Sequence, residues 1–71
     1  MEKDWMQVYS TYDRMEANYL MSELQQHAIY AVLFEKPPMP FGGDVMPVKF
    51  ELYVHDKQAE EALELIYNLP E

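Results

Sequence analysis

The spacing of apolar residues along the chain predicts five elements in the order strand, helix, strand, strand, helix. Residues 5–9 are aromatic and β-branched, which is typical of a short strand. About residues 13–27 form the predicted first helix, because their apolar residues recur at helical intervals. This stripe consists of Ala17, Leu20, Met21, Leu24 and Ala28. Asp13 and Glu16 have the spacing of a capping box, which marks the start of the helix.

The second half of the chain predicts two strands and a helix. Residues 29–35 are a continuous apolar run too short for a helix, so they indicate a buried strand. Residues 48–54 alternate between apolar and polar side chains, which is typical of a half-buried strand. The last helix begins near Asp56, a natural helix cap, and its apolar stripe runs to Leu69 before Pro70 ends it.

Two rules on how strands are connected predict a fold from this order of elements. A right-handed crossover through the first helix leaves the first two strands parallel, and a hairpin returns the third strand antiparallel to the second. We therefore expect residues 1–71 to form a single two-layer α+β sandwich. Its three-stranded sheet has the third strand in the centre and both helices on one face. This is a ferredoxin-like unit without its last strand.

The size of the chain favours association with a partner. It has 71 residues and no cysteine, so neither a disulfide nor a thiolate metal site stabilises it. A domain of this size buries only about 60% of the surface that it exposes when unfolded. Small domains often gain the missing stability from another chain. We therefore expect a homo-oligomer.

The charge of the chain argues against nucleic acids and anionic membranes as partners. The formal net charge is −8, and the five cationic residues are scattered along the sequence. Binding to phosphates needs clustered lysine and arginine. The N-terminal residues lack the apolar core of a signal peptide, and no stretch approaches the roughly 20 apolar residues of a membrane span. We expect a cytoplasmic chain.

The predicted fold leaves part of the sheet without a neighbour. The edge of the first strand is unpaired, and the face opposite the helices is uncovered. Trp5 and Tyr9 would point to the uncovered face if Met6 and Val8 face the helices, and Tyr53 would join them.

Which side of the second strand faces the helices is open, because both sets of alternate residues are apolar. One set is Ile29, Ala31 and Leu33, and the other is Tyr30, Val32 and Phe34. We expect the second set outside, where it would cluster with the aromatic residues of the neighbouring strands. Contiguous apolar surface usually marks an interaction site. The predicted protein-interaction residues are Trp5, Tyr9, Tyr30, Phe34 and Tyr53, and the alternative is that they only cover an ordinary sheet.

Residues 36–47 form a loop rich in proline and glycine. A connection of this length is often functional. It does not match a phosphate-binding loop, because its glycines precede a strand, Asp44 follows them and no hydroxyl is present. We favour a structured hairpin loop. If the loop forms a ligand pocket between subunits, Phe41, Gly42 and Gly43 are its predicted residues.

The sequence gives little support for catalysis or for a metal. The two histidines, His27 and His55, lie at predicted helix ends, where they serve better as polar terminal residues than as general bases. His55 and Asp56 supply two ligands, fewer than the four of a structural zinc site. We expect no catalytic residue, no metal and no cofactor.

Several short motifs together resemble a known family. They are Asp4-Trp5, Val8-Tyr9-Ser10-Thr11, Glu16-Ala17, Phe41-Gly42, Glu51-Leu52-Tyr53-Val54 and Ala59-Glu60-Glu61-Ala62. In order and spacing they resemble small bacterial domains of unknown function described as prokaryotic signal-transducing proteins. Family members typically have glycine near the end of the first helix, where this chain has His27-Ala28.

The resemblance implies a ferredoxin-like fold related to the PII nitrogen-signalling proteins. It also implies a non-catalytic regulatory or protein-interaction module. We expect such a module to self-associate through the edge of its first strand or the open face of its sheet. The alternative is a small-molecule sensor with a pocket between subunits near loop 36–47.

Overall fold

Three long strands and two helices make up most of the computed structural model, which describes residues 4–38, 40–41, 44–45 and 47–69. A 3₁₀ turn and two short strands complete it. In chain order the elements are β1 (Trp5–Thr11), α1 (Arg14–Gln26), β2 (Ala31–Lys36), β3 (Pro40–Phe41), β4 (Asp44–Val45), β5 (Lys49–His55), the 3₁₀ turn (Asp56–Gln58) and α2 (Ala59–Asn68).

The strand β5 lies between β1 and β2 and pairs antiparallel with both. The two outer strands therefore run parallel to each other, as a helical crossover between them allows. This confirms the predicted α+β order with the third long strand in the centre. The short strands β3 and β4 pair with each other, with Phe41 opposite Asp44, as in a hairpin.

Both helices pack on the same face of this sheet and share one apolar core. The largest fully buried side chains are Leu24, Ile29, Leu52 and Val54. Ala59 and Ala62 of α2 belong to the same cluster. Burial of a large aliphatic side chain stabilises a fold by about 1.5–3 kcal/mol. Each of these four contributions is large beside the net stability of a domain, roughly 5–15 kcal/mol.

A β-bulge interrupts β1. Gln7 pairs with Tyr53 but Tyr9 pairs with Leu52, so Val8 is the extra residue. Residues that lie opposite each other in a sheet share a face, and Leu52 faces the helices. The expectation that Tyr9 points away from the helices is therefore wrong, because the bulge shifts the alternation by one residue.

The helix α1 ends in a Schellman motif centred on Ala28, which has a φ of 60°. The N–H of Ala28 donates to the carbonyl of Gln25 at 3.0 Å, and that of Ile29 donates to Leu24 at 2.9 Å. Ile29 and Leu24 are both buried, so the motif includes its usual apolar contact. Left-handed backbone costs an L-residue such as alanine about 1–2 kcal/mol.

The side chain of Gln58, the last residue of the 3₁₀ turn, forms hydrogen bonds with the backbone on both sides of Ile29 in this left-handed turn. Its Nε2 donates to the carbonyl of Ala28 at 3.2 Å, and its Oε1 accepts from the N–H of Tyr30 at 3.3 Å. The connection between α1 and β2 is thus tied to the start of α2.

The two helix starts differ in part from the sequence expectation. Asp13 caps α1 by accepting from the N–H of Met15 at 3.0 Å. Its own N–H donates to Oγ1 of Thr11 at 3.0 Å, so Glu16 does not complete a capping box. Before α2, Asp56 is not the cap: it lies inside the 3₁₀ turn, whose cap is the preceding residue, His55.

We expect Ala28→Gly to stabilise the protein by about 1 kcal/mol, because glycine adopts the left-handed conformation without the steric cost of a Cβ atom. Urea unfolding monitored by circular dichroism measures this change. The matched control is Ala17→Gly in the middle of α1, which should destabilise the fold by about 1 kcal/mol or more. An equal loss of unfolding free energy in both variants would contradict the interpretation that the turn at Ala28 is strained.

Candidate functional site

The face of the sheet opposite the helices carries two edge-to-face aromatic pairs. The ring centroids of Trp5 and Tyr30 lie 5.8 Å apart, and those of Phe34 and Tyr53 lie 5.6 Å apart. Trp5 also packs edge-on against His55 at 5.9 Å. We call this surface, with Val32 between the pairs, the open face. It brings together four of the five predicted interaction residues, and Tyr9 lies on the other side of the sheet.

The orientation of β2 is the expected one. Ile29 and Ala31 are buried, whereas Tyr30 is 68% exposed and Phe34 is 45% exposed. Register decides this arrangement, because Leu33 lies opposite the core residue Leu52. The second of the two possible sets therefore faces away from the helices, as the sequence analysis favoured.

A buried carboxylate lies in the middle of the open face. Glu51 is only 3% exposed. Its carboxylate oxygens lie 3.3 Å from Nζ of Lys36, 3.9 Å from Nζ of Lys49 and 3.1 Å from the hydroxyl of Tyr53. Burial of a charge is costly unless it is paired and hydrogen-bonded, and this network supplies both. The alternation of β5 placed Glu51 on this face but could not show its burial.

The hydroxyl of Tyr53 is held in its neutral form. Partial burial raises the pKa of Tyr53 most, and the hydrogen bond to the Glu51 carboxylate and the negative charge of that group raise it further. Lys36 opposes these effects by lowering the pKa. The neutral phenol remains a hydrogen-bond donor to Glu51.

A groove of about 590 Å³ lies on the helix side of the sheet, between β1, α1 and the end of α2. Its polar lining consists of Tyr9, Glu16, Tyr19 and Tyr67, and its apolar lining consists of Leu20, Ile66 and Leu69. The bulge in β1 places Tyr9 in this groove. The sequence pattern does not predict this groove, because a bulge leaves no clear signal in the alternation of side chains.

Two tyrosines of the groove, Tyr9 and Tyr19, also have raised pKa values. Burial raises the pKa of Tyr9 most, and the adjacent Glu16 carboxylate raises it further. Burial and the carboxylate of Glu23 raise the pKa of Tyr19, whose hydroxyl lies 3.4 Å from Oε1 of Glu23. No lysine or arginine lines the groove in the part of the chain that the structure describes.

The ligand site predicted in the Pro/Gly loop stays a prediction. Gly42 and Gly43 lie outside the described residues, and for Phe41 the structure gives the backbone pairing with Asp44. Within residues 4–38, 40–41, 44–45 and 47–69, no group of three or more His, Asp or Glu is placed to hold a metal ion.

Residues 5–69 match a family model described as "Putative prokaryotic signal transducing protein". The chain belongs to this family. Neither a curated protein nor a solved structure matches it. The matched span contains every long strand and both helices, so the open face and the groove both lie within the matched family domain. Among the described residues of this family member, no helix has the length and apolar character to cross a membrane.

We expect the free energy of unfolding to fall as the pH rises above about 10, the pKa of an unperturbed phenol. The raised pKa values of Tyr9, Tyr19 and Tyr53 stabilise the folded state below that pH, and the contribution is lost as the pH passes through the folded-state values. Urea unfolding at several pH values in this alkaline range measures how steeply the free energy of unfolding falls with pH. Tyr53→Phe should reduce the slope, and an unchanged slope would contradict the role assigned to this phenol.

Proposed function

We propose that this member of the signal-transducing family is a non-catalytic protein-interaction module whose open face binds a second copy of the chain. The observation that carries the proposal is the pair of aromatic contacts on a sheet face that no described helix covers. Tyrosine and tryptophan are enriched among the residues that dominate binding energy at interfaces. The edge-to-face contacts between these rings already hold them in place before a partner binds.

The distribution of charge favours the open face over the helix side for self-association. Two copies that each carry a net charge of −8 repel each other over most approaches. The exposed side of α2 is acidic, with Glu60, Glu61 and Glu64. The open face instead combines Lys36 and Lys49 with one buried carboxylate. Of these two surfaces, the open face is therefore the one where two copies meet with less repulsion.

The bulge at Val8 disfavours the other surface considered, the edge of β1. A bulge twists an edge strand and disrupts the even spacing of its hydrogen-bonding groups, which is one way in which proteins avoid edge-to-edge pairing. Of the two surfaces, the face therefore fits self-association better than the edge of the first strand.

The contacts of the histidines support a role without catalysis. Nδ1 of His27 lies 2.9 Å from the carbonyl oxygen of Glu23. Nδ1 of His55 lies 3.2 Å from the backbone nitrogen of Lys57 and 2.9 Å from Oδ1 of Asp56. Both imidazoles thus serve local backbone structure at a helix end. A general base must instead be within reach of a substrate proton.

Light scattering over a dilution series tests the proposal. We expect wild type to form a dimer, and Tyr30→Ala or Phe34→Ala to weaken dimerisation about tenfold or more, which corresponds to about 1.4 kcal/mol. Trp5 is the single tryptophan of the chain and lies on the open face, so its fluorescence gives a second readout.

Met15→Ala is the matched control, because Met15 is an apolar side chain of α1 that is 80% exposed. It should leave the dimerisation constant unchanged. A monomer at every concentration, or an equal loss with Met15→Ala, would refute self-association through the open face.

A further inference from the structure

The groove on the helix side of the sheet has the composition of a site for an organic cation. It combines three tyrosine rings and one carboxylate with apolar side chains. Its volume of about 590 Å³ lies within the range of small-molecule sites, roughly 300–1,000 Å³. Aromatic rings beside a carboxylate are the usual means by which proteins recognise ammonium groups.

The Glu16 carboxylate is available to a ligand because the start of α1 does not use it. In a complete capping box Glu16 would accept from the N–H of Asp13, but Thr11 takes that hydrogen bond. Glu16 is half-buried and forms no ion pair with any side chain in the described part of the chain. Tyr9 is its neighbour in the groove. Among the described residues, no cation compensates its negative charge.

Among the described residues, no lysine or arginine supplies a cation to this groove. Arg14 is the basic residue nearest to Glu16 in sequence, but its Nη1 lies 2.9 Å from Oε1 of Glu35. Its guanidinium carbon also lies 5.0 Å from the ring centre of Phe50, in a cation–π contact. A cation from outside would therefore meet no competitor among the residues that line the groove.

We propose that the groove binds a small organic ammonium compound. Glu16 opposes the positive charge, and the rings of Tyr9, Tyr19 and Tyr67 pack around the carbon atoms next to the nitrogen. The net charge of the chain attracts such a ligand, whereas Glu16 repels an anion. Because three elements of the fold line the groove, it suits a small molecule better than an extended peptide.

This site is independent of the proposed self-association. The groove lies on the helix side of the sheet and shares no residue with the open face. Loss of one interaction by substitution therefore does not remove the other.

Choline and its neutral carbon isostere, dimethylbutanol, are the probes that test the charge requirement. Titration of the isotopically labelled full chain, followed by the backbone amide resonances, reports both affinity and position. We expect shifts in β1, the first half of α1 and the end of α2. Choline should bind about tenfold more tightly than the isostere, because only choline gains the attraction to Glu16 and to the ring faces.

Two substitutions separate charge from packing. Glu16→Gln should weaken choline binding about tenfold and leave the binding of the isostere unchanged. Tyr67→Ala should weaken both ligands, and because Tyr67 is 82% exposed its loss does not disturb the core. Tyr12→Ala is the matched control, since this exposed tyrosine does not line the groove, and it should leave both affinities unchanged.

Three results would overturn the proposal. Equal affinity for choline and the isostere would show that binding does not depend on the positive charge. Changes of amide resonances confined to other surfaces would show that the ligand does not bind in the groove. A lysine-containing peptide that binds about tenfold more tightly than choline would show that the cation belongs to a protein partner rather than to a small molecule.

Discussion

The pairing of β5 with both β1 and β2 is the constraint on which the rest of the structure depends. A strand with two antiparallel neighbours has both edges paired, so its alternating side chains lie in the middle of both faces of the sheet. Leu52 and Val54 are directed to the helices and are fully buried. Glu51 and Tyr53 are directed to the open face, where they form a polar centre between aromatic neighbours. The apolar core and the candidate interaction surface are therefore two sides of one strand.

One extra residue in β1 changes what lies on each side. Without the bulge at Val8, Tyr9 would join the aromatic residues of the open face. With it, Tyr9 lies opposite Leu52 and lines the groove between the helices. A single irregularity thus removes one ring from the open face and supplies one to a second candidate site. It also distorts the edge of β1, which reduces the risk of pairing with another chain.

The strong negative charge of the chain acts differently at the two candidate sites. At the open face, Lys36 and Lys49 neutralise the central carboxylate, so the surface is polar in its middle without being acidic. In the groove no described lysine or arginine faces Glu16. The one arginine of the chain pairs with Glu35 and stacks on Phe50 instead. The same composition therefore yields one nearly balanced surface and one acidic groove.

The sequence by itself determined the three long strands, the two helices, their order and the topology, because helical and strand periodicities are local and the connection rules leave few arrangements. It also indicated the outward side of β2, since Tyr30 and Phe34 complement aromatic residues on other strands. Tertiary structure alone decided the bulge at Val8, the left-handed turn at Ala28 and the burial of Glu51. Each of these depends on register or on a partner distant in the chain. The bulge depends on pairing with β5, and the turn depends on contacts that include Gln58. The buried carboxylate depends on lysines from two strands. Periodicity describes each segment separately, so it cannot determine how the segments meet in space.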